Sequence, residues 1–234
     1  MLKADFHIHT SEDPYDTWIS YSAKELINRA SRLGFNVLAI TNHSRVTYNK
    51  KLANHAKDKG ILLIPGIETW IQGKEVIILN APKQAEKIRT FDELRRLKKT
   101  HPSSCILAPH PFYPKKEALQ KSLSEHIDLF DGIEYCHYYC RLYNPYNKKA
   151  IRKAKKHNKP LIGTSDSHQV LQFNKTYSLI DADMDVDSVI DAMKQNKVKL
   201  RTRPLSYMAC TRVILPMMRC KVMRLLLHPT KHLQ

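Results

Sequence analysis

Short apolar segments alternate along the chain with stretches whose apolar residues recur at helical spacing. Apolar runs of about four or five residues are typical of buried strands, whereas apolar residues three or four apart indicate a helix. The predicted strands cover residues 4–8, 36–40, 61–64, 76–79, 105–108, 132–135 and 161–163. The predicted helices cover residues 22–33, 48–59, 91–99, 116–126, 147–157 and 187–196. This alternation predicts a parallel sheet with crossover helices, either a small irregular barrel or a doubly wound sheet.

Polar side chains capable of binding metals follow six of the seven predicted strands. In barrels and in doubly wound sheets, ligand sites gather at the carboxyl ends of the strands. The residues found there are His7 and His9, His43, Glu68, His110, Glu134 and His137, and Asp166 and His168. We therefore expect these side chains to converge at one end of the sheet.

The spacing of these residues favours a site with more than one metal ion. Side chains two apart on a strand point to the same face, so His7 and His9 can bind one ion together, as can Asp166 and His168. Together with single ligands from other strands, they exceed the four ligands of a tetrahedral zinc site. Two or three ions that share a bridging carboxylate and a bridging water suit phosphoryl transfer.

Length and charge narrow the range of partners. The 234 residues fit one domain better than two, and 42% hydrophobic with 26% charged residues is an ordinary globular composition. The formal net charge of +17 would attract phosphorylated small molecules or nucleic acid. A lysine-rich composition without any binding role, as in some thermophiles, explains the charge equally well.

Other features indicate a cytoplasmic protein without a membrane partner. No run of about eighteen uncharged apolar residues exists, and the first ten residues lack the apolar core of a signal peptide. The five cysteines are odd in number and form no C-x-x-C pair, so we do not expect a disulfide framework.

Composition changes near the end of the chain. We predict a hydrolase domain over residues 1–200 and a basic C-terminal extension over residues 201–234, where Arg, Lys and Met are mixed with helix-spaced apolar residues. The extension is predicted to be helical and to dock on the domain. Docking on a partner or on nucleic acid is the alternative.

Five motifs carry a family resemblance. They are Asp5-Phe6-His7-Ile8-His9-Thr10, Ala39-Ile40-Thr41-Asn42-His43, Ile64-Pro65-Gly66-Ile67-Glu68, Ala108-Pro109-His110-Pro111 and Gly163-Thr164-Ser165-Asp166-Ser167-His168. In this order they resemble the motifs of the polymerase-and-histidinol-phosphatase (PHP) family, over about residues 3–170. The resemblance implies an α/β fold, a distorted (β/α)7 barrel with parallel strands and outer helices. It also implies two or three divalent metals (Zn, Mn or Fe) and hydrolysis of phosphoesters by metal-activated water.

The resemblance also implies a ligand set. It comprises His7, His9, His43, Glu68 as the bridging carboxylate, His110, Asp166 and His168. The family has a further acidic or histidine ligand shortly after the first motif. Asp13 is our choice for it, with Glu12 and Asp16 as competitors. His137 is a further candidate, as a metal ligand or as a substrate contact.

The chain departs from the family pattern at two positions. Asn42 stands where the family usually has aspartate, and an amide carries no negative charge. The family often has a histidine in the strand after Glu68, whereas residues 75–80 contain none. We therefore expect two tightly held metals and a weaker third.

The function expected is hydrolysis of a phosphomonoester by a metal-bridging hydroxide. Glu68, Asp166 and His168 are the predicted catalytic residues, and Asp166 or His168 would relay a proton to the leaving oxygen. Arg141 and Lys148, or Lys149, are candidate phosphate contacts. The alternatives are a nuclease for short or single-stranded nucleic acid and a non-catalytic RNA-binding barrel. Five tyrosines between residues 135 and 146 could stack bases, but packing is the favoured interpretation.

Overall fold

The computed structural model describes residues 1–213, which form one mixed sheet flanked by helices. The strands are β1 (Leu2–Asp5), β2 (Val37–Ile40), β3 (Leu62–Ile71), β4 (Lys74–Leu79), β5 (Cys105–Ala108), β6 (Gly132–Cys136), β7 (Leu161–Thr164), β8 (Thr176–Ile180) and β9 (Val198–Thr202). The helices are α1 (Ala23–Arg32), α2 (Lys50–Asp58), α3 (Phe91–Thr100), α4 (Ser122–Glu125), α5 (Pro145–Lys156) and α6 (Val186–Lys194). A short 3-10 helix covers Lys83–Lys87, and residues 207–213 are helical.

The sheet curves into a nearly closed barrel. Its strand order is β7-β6-β5-β4-β3-β2-β1-β8-β9, and the pairs β1–β2, β2–β3, β5–β6 and β6–β7 are parallel. The end strand β7 closes onto the opposite side of the sheet, where Gly163 N donates to Ser178 Oγ of β8 at 3.0 Å and where Ile8, after β1, bridges Ser167. A Cβ at Gly163 would lie 2.7 Å from the carbonyl oxygen of Tyr177, so only glycine permits this approach. The predicted distorted barrel with parallel strands and outer helices is confirmed.

A hairpin interrupts the strand–helix alternation. β3 continues to Ile71 and turns through Gln72 and Gly73, both at positive φ, into the antiparallel strand β4. Two residues at positive φ form the tight hairpin turn that matches sheet twist. The sequence pattern placed residues 61–64 and 76–79 in separate units, because Pro65 and Gly66 looked like a strand end. Glu68 instead lies inside a continuous strand.

Local sequence explains where the helices begin and end. Ser22 and Glu25 form a capping box at α1, and Thr90 and Glu93 form another at α3. The helix predicted over residues 116–126 shrinks to the single turn α4, because Gln120 adopts a φ of 50° that interrupts helical geometry. β8 and β9 were not predicted. Only alternate residues of β8 are fully buried, and β9, at the edge of the sheet, alternates between partly buried and exposed residues.

Three apolar clusters make up the core. An inner cluster lies within the barrel and is closed by α6, with members that include Phe6, Ile77, Leu107, Ile162 and Val189. A second cluster packs α1 and α2 on the sheet, and a third packs α3, α4 and α5. Alternate residues of β2 divide between two of them, as the twofold periodicity of a strand requires.

The described part of the C-terminal extension contacts the body. β9 ends at Thr202, two residues past the predicted domain boundary, and Leu205 N donates to Tyr139 O at 3.0 Å. Leu205 and Val213 are buried. The prediction for the rest of the extension falls on residues 214–234, outside the described residues. Within residues 1–213, no helix is long and apolar enough to span a bilayer.

Candidate metal centre

Strand ends bring the predicted ligands together, as the sequence suggested. His7 and His9 follow β1, His43 follows β2, His110 follows β5, and Asp166 and His168 follow β7, while Glu68 reaches the same place from within β3. Two of these residues, His110 and Asp166, have positive φ values of 25° and 43°. Such backbone conformations are costly for residues other than glycine and cluster at functional sites.

Glu68 lies at the centre of the cluster. Its Oε2 is 3.3 Å from His7 Nε2, 3.3 Å from His9 Nε2 and 3.2 Å from His43 Nε2. Its Oε1 is 3.5 Å from His110 Nε2 and has no hydrogen-bond partner although it is buried. One carboxylate therefore faces four imidazoles from three strand ends.

Asp166 forms a second carboxylate corner that shares three of these histidines. Its Oδ1 lies 3.4 Å from His7 Nε2 and 3.6 Å from His9 Nε2, and its Oδ2 lies 3.9 Å from His110 Nε2. His168 forms the outer corner, with its Nε2 3.1 Å from Asp16 Oδ2. Asp166, Glu68 and the histidines thus form one continuous constellation.

Two buried carboxylates behind the cluster set the orientation of its imidazoles. Glu134 Oε1 lies 2.7 Å from His7 Nδ1, while Asp13 Oδ2 lies 2.9 Å from both His9 Nδ1 and His43 Nδ1. A carboxylate oxygen accepts a hydrogen bond from an N–H group, so each of these Nδ1 atoms carries the hydrogen. Each Nε2 atom then faces the centre, where its lone pair can bind a cation.

This donor set fits metal cations. Imidazole lone pairs and carboxylate oxygens repel one another at the observed distances unless positive charge lies between them. Three groups of donors lie close enough to bind an ion: His7, His9 and Asp166; His7, Glu68 and His110; and His9, Asp13, Asp16 and His43. All three consist of nitrogen and oxygen donors, which suit divalent ions such as Zn and Mn.

The ionisation of the cluster agrees with this fit. Burial by itself would lower the pKa of His7, but Asp166, Glu68 and Glu134 raise it well above its ordinary value. Burial would raise the pKa of Glu68, but His7 and His110 lower it well below its ordinary value. The fold therefore places anionic carboxylates beside imidazoles, and this arrangement is stable when a proton or a metal ion lies between them.

The three acidic residues after the first motif have different environments. Glu12 accepts hydrogen bonds from Ala23 N at the start of α1 and lies outside the donor groups. Asp13 Oδ1 accepts from the backbone of Tyr15 and Asp16, so together with its histidine contacts this carboxylate is saturated. Asp16 is partly exposed, and contacts with His168 and His43 outweigh burial to lower its pKa to about 2.

Besides His168, which contacts Asp16, three predicted site residues lie outside these donor groups. His137 Nε2 accepts from Gln172 Nε2 at 3.0 Å, and burial lowers the pKa of His137 to about 4, so this ring is neutral and its lone pair is used. Arg141 and Lys148 are exposed, and among the described residues no side-chain contact joins them to the cluster. Their role as phosphate contacts stays a prediction.

Lys115 is a cation at the centre that the sequence did not reveal. Its Nζ lies 2.6 Å from Glu75 Oε2 and 3.4 Å from His110 Nε2. Burial would lower the pKa of Lys115, but the Glu75, Glu68 and Asp166 carboxylates raise it, so the ammonium stays charged. Nothing in the local pattern around Lys115 and Lys116 distinguishes these lysines from surface lysines.

The two departures from the family pattern lie behind the cluster. Asn42 Oδ1 accepts from Thr10 N at 2.9 Å, and its Nδ2 donates to Thr10 Oγ1 and Thr47 Oγ1 at 2.9 and 2.8 Å. The amide is therefore satisfied and joins the ends of β1 and β2. Ile77, opposite Glu68 in the hairpin register, belongs to the inner apolar cluster.

Aromatic rings flank the cluster at both ends. Trp70 stacks on His43 at 5.0 Å between ring centroids, and Trp18 stacks on His168 at 5.8 Å. Between them, His9 stacks on both His43 and His168, at 4.5 and 4.2 Å. The pattern of the sequence indicated stacking rings only among the tyrosines of residues 135–146, and neither tryptophan was predicted to lie here.

Comparison with known proteins agrees with this geometry. The sequence matches the PHP domain family over residues 5–137. An uncharacterised protein from Methanocaldococcus jannaschii, MJ1587, is 25% identical over 161 residues, which cover 64% of this chain and 86% of that protein.

Solved structures share the fold at lower identity. A two-domain Bacteroides vulgatus protein, described as containing a predicted PHP-like metal-dependent phosphoesterase, superposes with a TM-score of 0.66 at 21% identity, covering 86% of this chain. The chain spans 65% of the length of that protein. PsfC from Pseudomonas syringae superposes with a TM-score of 0.62 at 14% identity, covering 95% of this chain and 98% of PsfC.

Proposed function

Because this chain belongs to the PHP domain family, we propose that it is a metal-dependent phosphoesterase that hydrolyses a phosphomonoester. The observation that carries the proposal is the convergence of four imidazole Nε2 atoms on the two oxygens of Glu68, at 3.2 to 3.5 Å. A buried carboxylate shared by several histidines is the arrangement that a multinuclear hydrolytic centre needs.

Each part of the cluster has a role in this proposal. His7, His9, His43, His110 and Asp166 would hold the ions, together with Glu68 as the carboxylate that all four histidines share. When bound, divalent ions supply Lewis-acid stabilisation of the phosphoryl group and an activated water. Three overlapping donor groups support two or three ions.

The hydrogen bonds of Asp13 and Asp16 favour Asp16 as a direct metal ligand. Asp13 already accepts five hydrogen bonds, whereas Asp16 offers an oxygen to both His168 and His43. Asp13 then acts by orienting His9 and His43. The choice of Asp13 made from the sequence stays a prediction, because Asp13 lies in the same donor group as Asp16.

Two groups of the chain serve the substrate directly. Lys115 is charged and lies beside His110, so its ammonium can neutralise a phosphate oxygen. His168 lies at the partly open edge of the cluster with its Nε2 on Asp16, where it can pass a proton to the leaving oxygen.

Metal content and activity test the proposal together. Purified protein is expected to contain two or three divalent ions per chain by elemental analysis and to release phosphate from an aryl phosphate when Mn²⁺ is supplied. Glu68→Gln should lose bound metal and activity, while Glu125→Gln, at an exposed position on α4, should retain both. A metal-loaded wild-type protein that cleaves no phosphomonoester or phosphodiester would refute the proposal.

The net charge of +17 favours a nuclease as the second candidate. A nuclease would cleave short single-stranded nucleic acid at rates that fall steeply as the salt concentration rises. The reason is that the protein contacts several phosphates of the strand and releases their counterions on binding. A non-catalytic RNA-binding barrel would instead bind RNA without retaining stoichiometric metal.

A further inference from the structure

We propose that Tyr15 and Trp70 form a ring-binding subsite beside the metal centre, and that the substrate is a nucleoside phosphate whose base stacks there. The inference rests on the proposed phosphoesterase function and names its substrate class. A mononucleotide and the terminal nucleotide of a short single strand share this chemistry.

The subsite is one imidazole away from the bridging carboxylate. Trp70 is stacked on His43 with an angle of 15° between the ring planes, and His43 Nε2 lies 3.2 Å from Glu68. Tyr15 meets Trp70 edge-on, with centroids 4.7 Å apart and planes at 75°, and lies 6.1 Å from the His43 ring. In a nucleotide one sugar joins base and phosphate, so a base at this pair leaves its phosphate near the cluster.

Trp70 reaches the site because of its place on β3. Residues two apart on a strand share a face, so Trp70 lies on the same face as Glu68. It is partly exposed, and within the described residues it packs against none of the three apolar clusters. A large ring that contributes to no core, beside a hydrolytic centre, is available to a ligand.

Tyr15 is held at the rim by the same carboxylate that orients the histidines. Tyr15 N donates to Asp13 Oδ1 at 2.8 Å, while Asp13 Oδ2 binds His9 and His43. The Tyr15 side chain is 40% exposed. Its backbone is therefore fixed relative to the centre, and its ring lies edge-on to Trp70 at the rim.

A cation for the phosphate lies on the same hairpin wall. Glu75 pairs with Trp70 across β3 and β4, and Lys115 Nζ lies 2.6 Å from Glu75 Oε2. Cross-strand partners lie on one face of the sheet, so ring, ammonium and metal ligands border a common space. A planar base joined to a phosphate matches that combination, because the ring stacks while the phosphate meets the cation.

Trp18, at the other end of the cluster, has a different role. It packs against the cluster under α1 and α2, and its Nε1 donates to Asp16 Oδ1 at 3.3 Å. The apolar surface of Trp18 is thus packed against the core, and its Nε1–H group is hydrogen-bonded. Trp18 therefore positions His168 and Asp16, and it leaves the ring-binding role to Trp70 and Tyr15.

The two-tryptophan composition allows a direct binding test. In Trp18→Phe the remaining indole is Trp70, so its fluorescence reports on this subsite alone. We expect quenching of this signal by adenosine monophosphate or by a short oligoadenylate, and none by glycerol phosphate, with protein whose metals are retained. Quenching by the mononucleotide identifies a small-molecule substrate, and quenching only by the oligonucleotide identifies a nucleic-acid end.

Kinetics test whether the bound base contributes to the reaction. Trp70→Leu and Tyr15→Leu should each reduce kcat/KM for the nucleotide about ten-fold, the scale of one lost stacking contact, while kcat/KM for glycerol phosphate changes little. Trp70→Phe should recover part of the loss. Tyr48→Leu is the matched control, since Tyr48 is also 40% exposed and is expected to leave both substrates unaffected.

The outcomes separate this inference from the proposed function. If glycerol phosphate is cleaved but no nucleotide quenches Trp70, the subsite is refuted and the phosphoesterase stands. If Trp70→Leu impairs both substrates equally, Trp70 only positions His43 and the subsite is likewise refuted. If nucleotides quench but nothing is hydrolysed with metals present, the subsite stands and the phosphoesterase proposal fails.

Discussion

The Nδ1 of His7 lies 2.7 Å from Oε1 of Glu134, and both side chains are completely buried. Glu134 also accepts from Thr164 Oγ1 and from His110 N, so one carboxylate joins β6, β7 and the loops after β1 and β5. It fixes the tautomer of His7 while its second oxygen holds the backbone of another predicted ligand. Glu134 therefore supports the metal centre from behind without entering the three donor groups.

Glu134→Gln should weaken metal binding without removing any direct ligand. The amide keeps the size of the side chain but no longer has two acceptor oxygens, so His7 loses the anion that orients it. We expect metal affinity to fall by about 10- to 100-fold, the usual effect of losing such a partner. Metal titration with a competing chelator measures the change. Affinity equal to that of Glu125→Gln would show that Glu134 serves folding alone.

The variants Asp13→Asn and Asp16→Asn should show which of the two carboxylates orients histidines and which binds metal. Asp13 accepts five hydrogen bonds in a buried position, so its amide variant should destabilise the fold by about 1–3 kcal/mol as well as reduce metal content. Asp16→Asn should lower metal content and cost the metal-free protein less stability than Asp13→Asn, because Asp16 accepts from fewer donors. Chemical denaturation and elemental analysis of both variants decide this. The opposite pattern would restore Asp13 as the ligand.

The stability of the metal-free protein should fall as pH rises. Burial by itself lowers the pKa of His7, His9 and His43, but the surrounding carboxylates raise each above the ordinary value of 6.5. A group with a raised pKa in the folded state stabilises the fold fully below its unfolded pKa, and this stabilisation is lost as pH rises through the folded value.

Bound metal should remove this dependence, because cations replace the protons between the histidines and Glu68. Thermal unfolding from pH 6.5 upward, with chelator and with Mn²⁺, provides the comparison. We expect the melting temperature to decline only in chelator. Parallel curves in the two conditions would argue against a cation-dependent cluster.

Lys115→Gln should raise KM for a phosphomonoester, by about ten-fold or more if the ammonium contacts a phosphate oxygen. Lys115→Arg should restore part of the affinity, and unfolding measurements on both variants control for the loss of the Glu75 partner. Lys148→Gln is the matched comparison, because Lys148 was the contact predicted from sequence and is exposed. If Lys148→Gln raises KM and Lys115→Gln does not, the sequence-based assignment is correct.

Cys140 and Cys210 should form a disulfide when a low-molecular-weight disulfide is supplied as oxidant. Their Sγ atoms lie 3.0 Å apart, about 1 Å from bonding distance, and Leu205 N already ties the segment before Cys210 to Tyr139 O. Thiol–disulfide exchange releases two thiols of the reagent for each bond formed. Peptide mass spectrometry without reductant identifies the pair, and Cys140→Ser should abolish the cross-linked peptide.

The strands and the ligands at their ends could be predicted from the sequence because they depend on local patterns. Apolar runs placed β5 exactly and β2, β6 and β7 to within a residue at either end. The strand-end rule then placed His7, His9, His43, Glu68, His110, Asp166 and His168 in one cluster, since parallel strands deliver their carboxyl ends to the same rim.

Residues far apart in sequence became partners only in the folded chain. Glu134 lies 127 positions from His7, and Lys115 is 40 positions from Glu75, so no local pattern relates them. The antiparallel β3–β4 hairpin was missed because Pro65 and Gly66 resemble a strand end, yet it is this hairpin that carries Trp70 to the cluster.

The sequence by itself determined which elements form and which side chains stand at their ends, because strand periodicity and hydrophobic burial act over a few residues. Tertiary structure decided which carboxylate lies against two imidazole Nδ1 atoms and which lies beside His168 at the outer corner, as Asp13 and Asp16 show. The physical reason is that a hydrogen-bond partner or a nearby charge is a matter of distance in space, and barrel closure alone sets those distances.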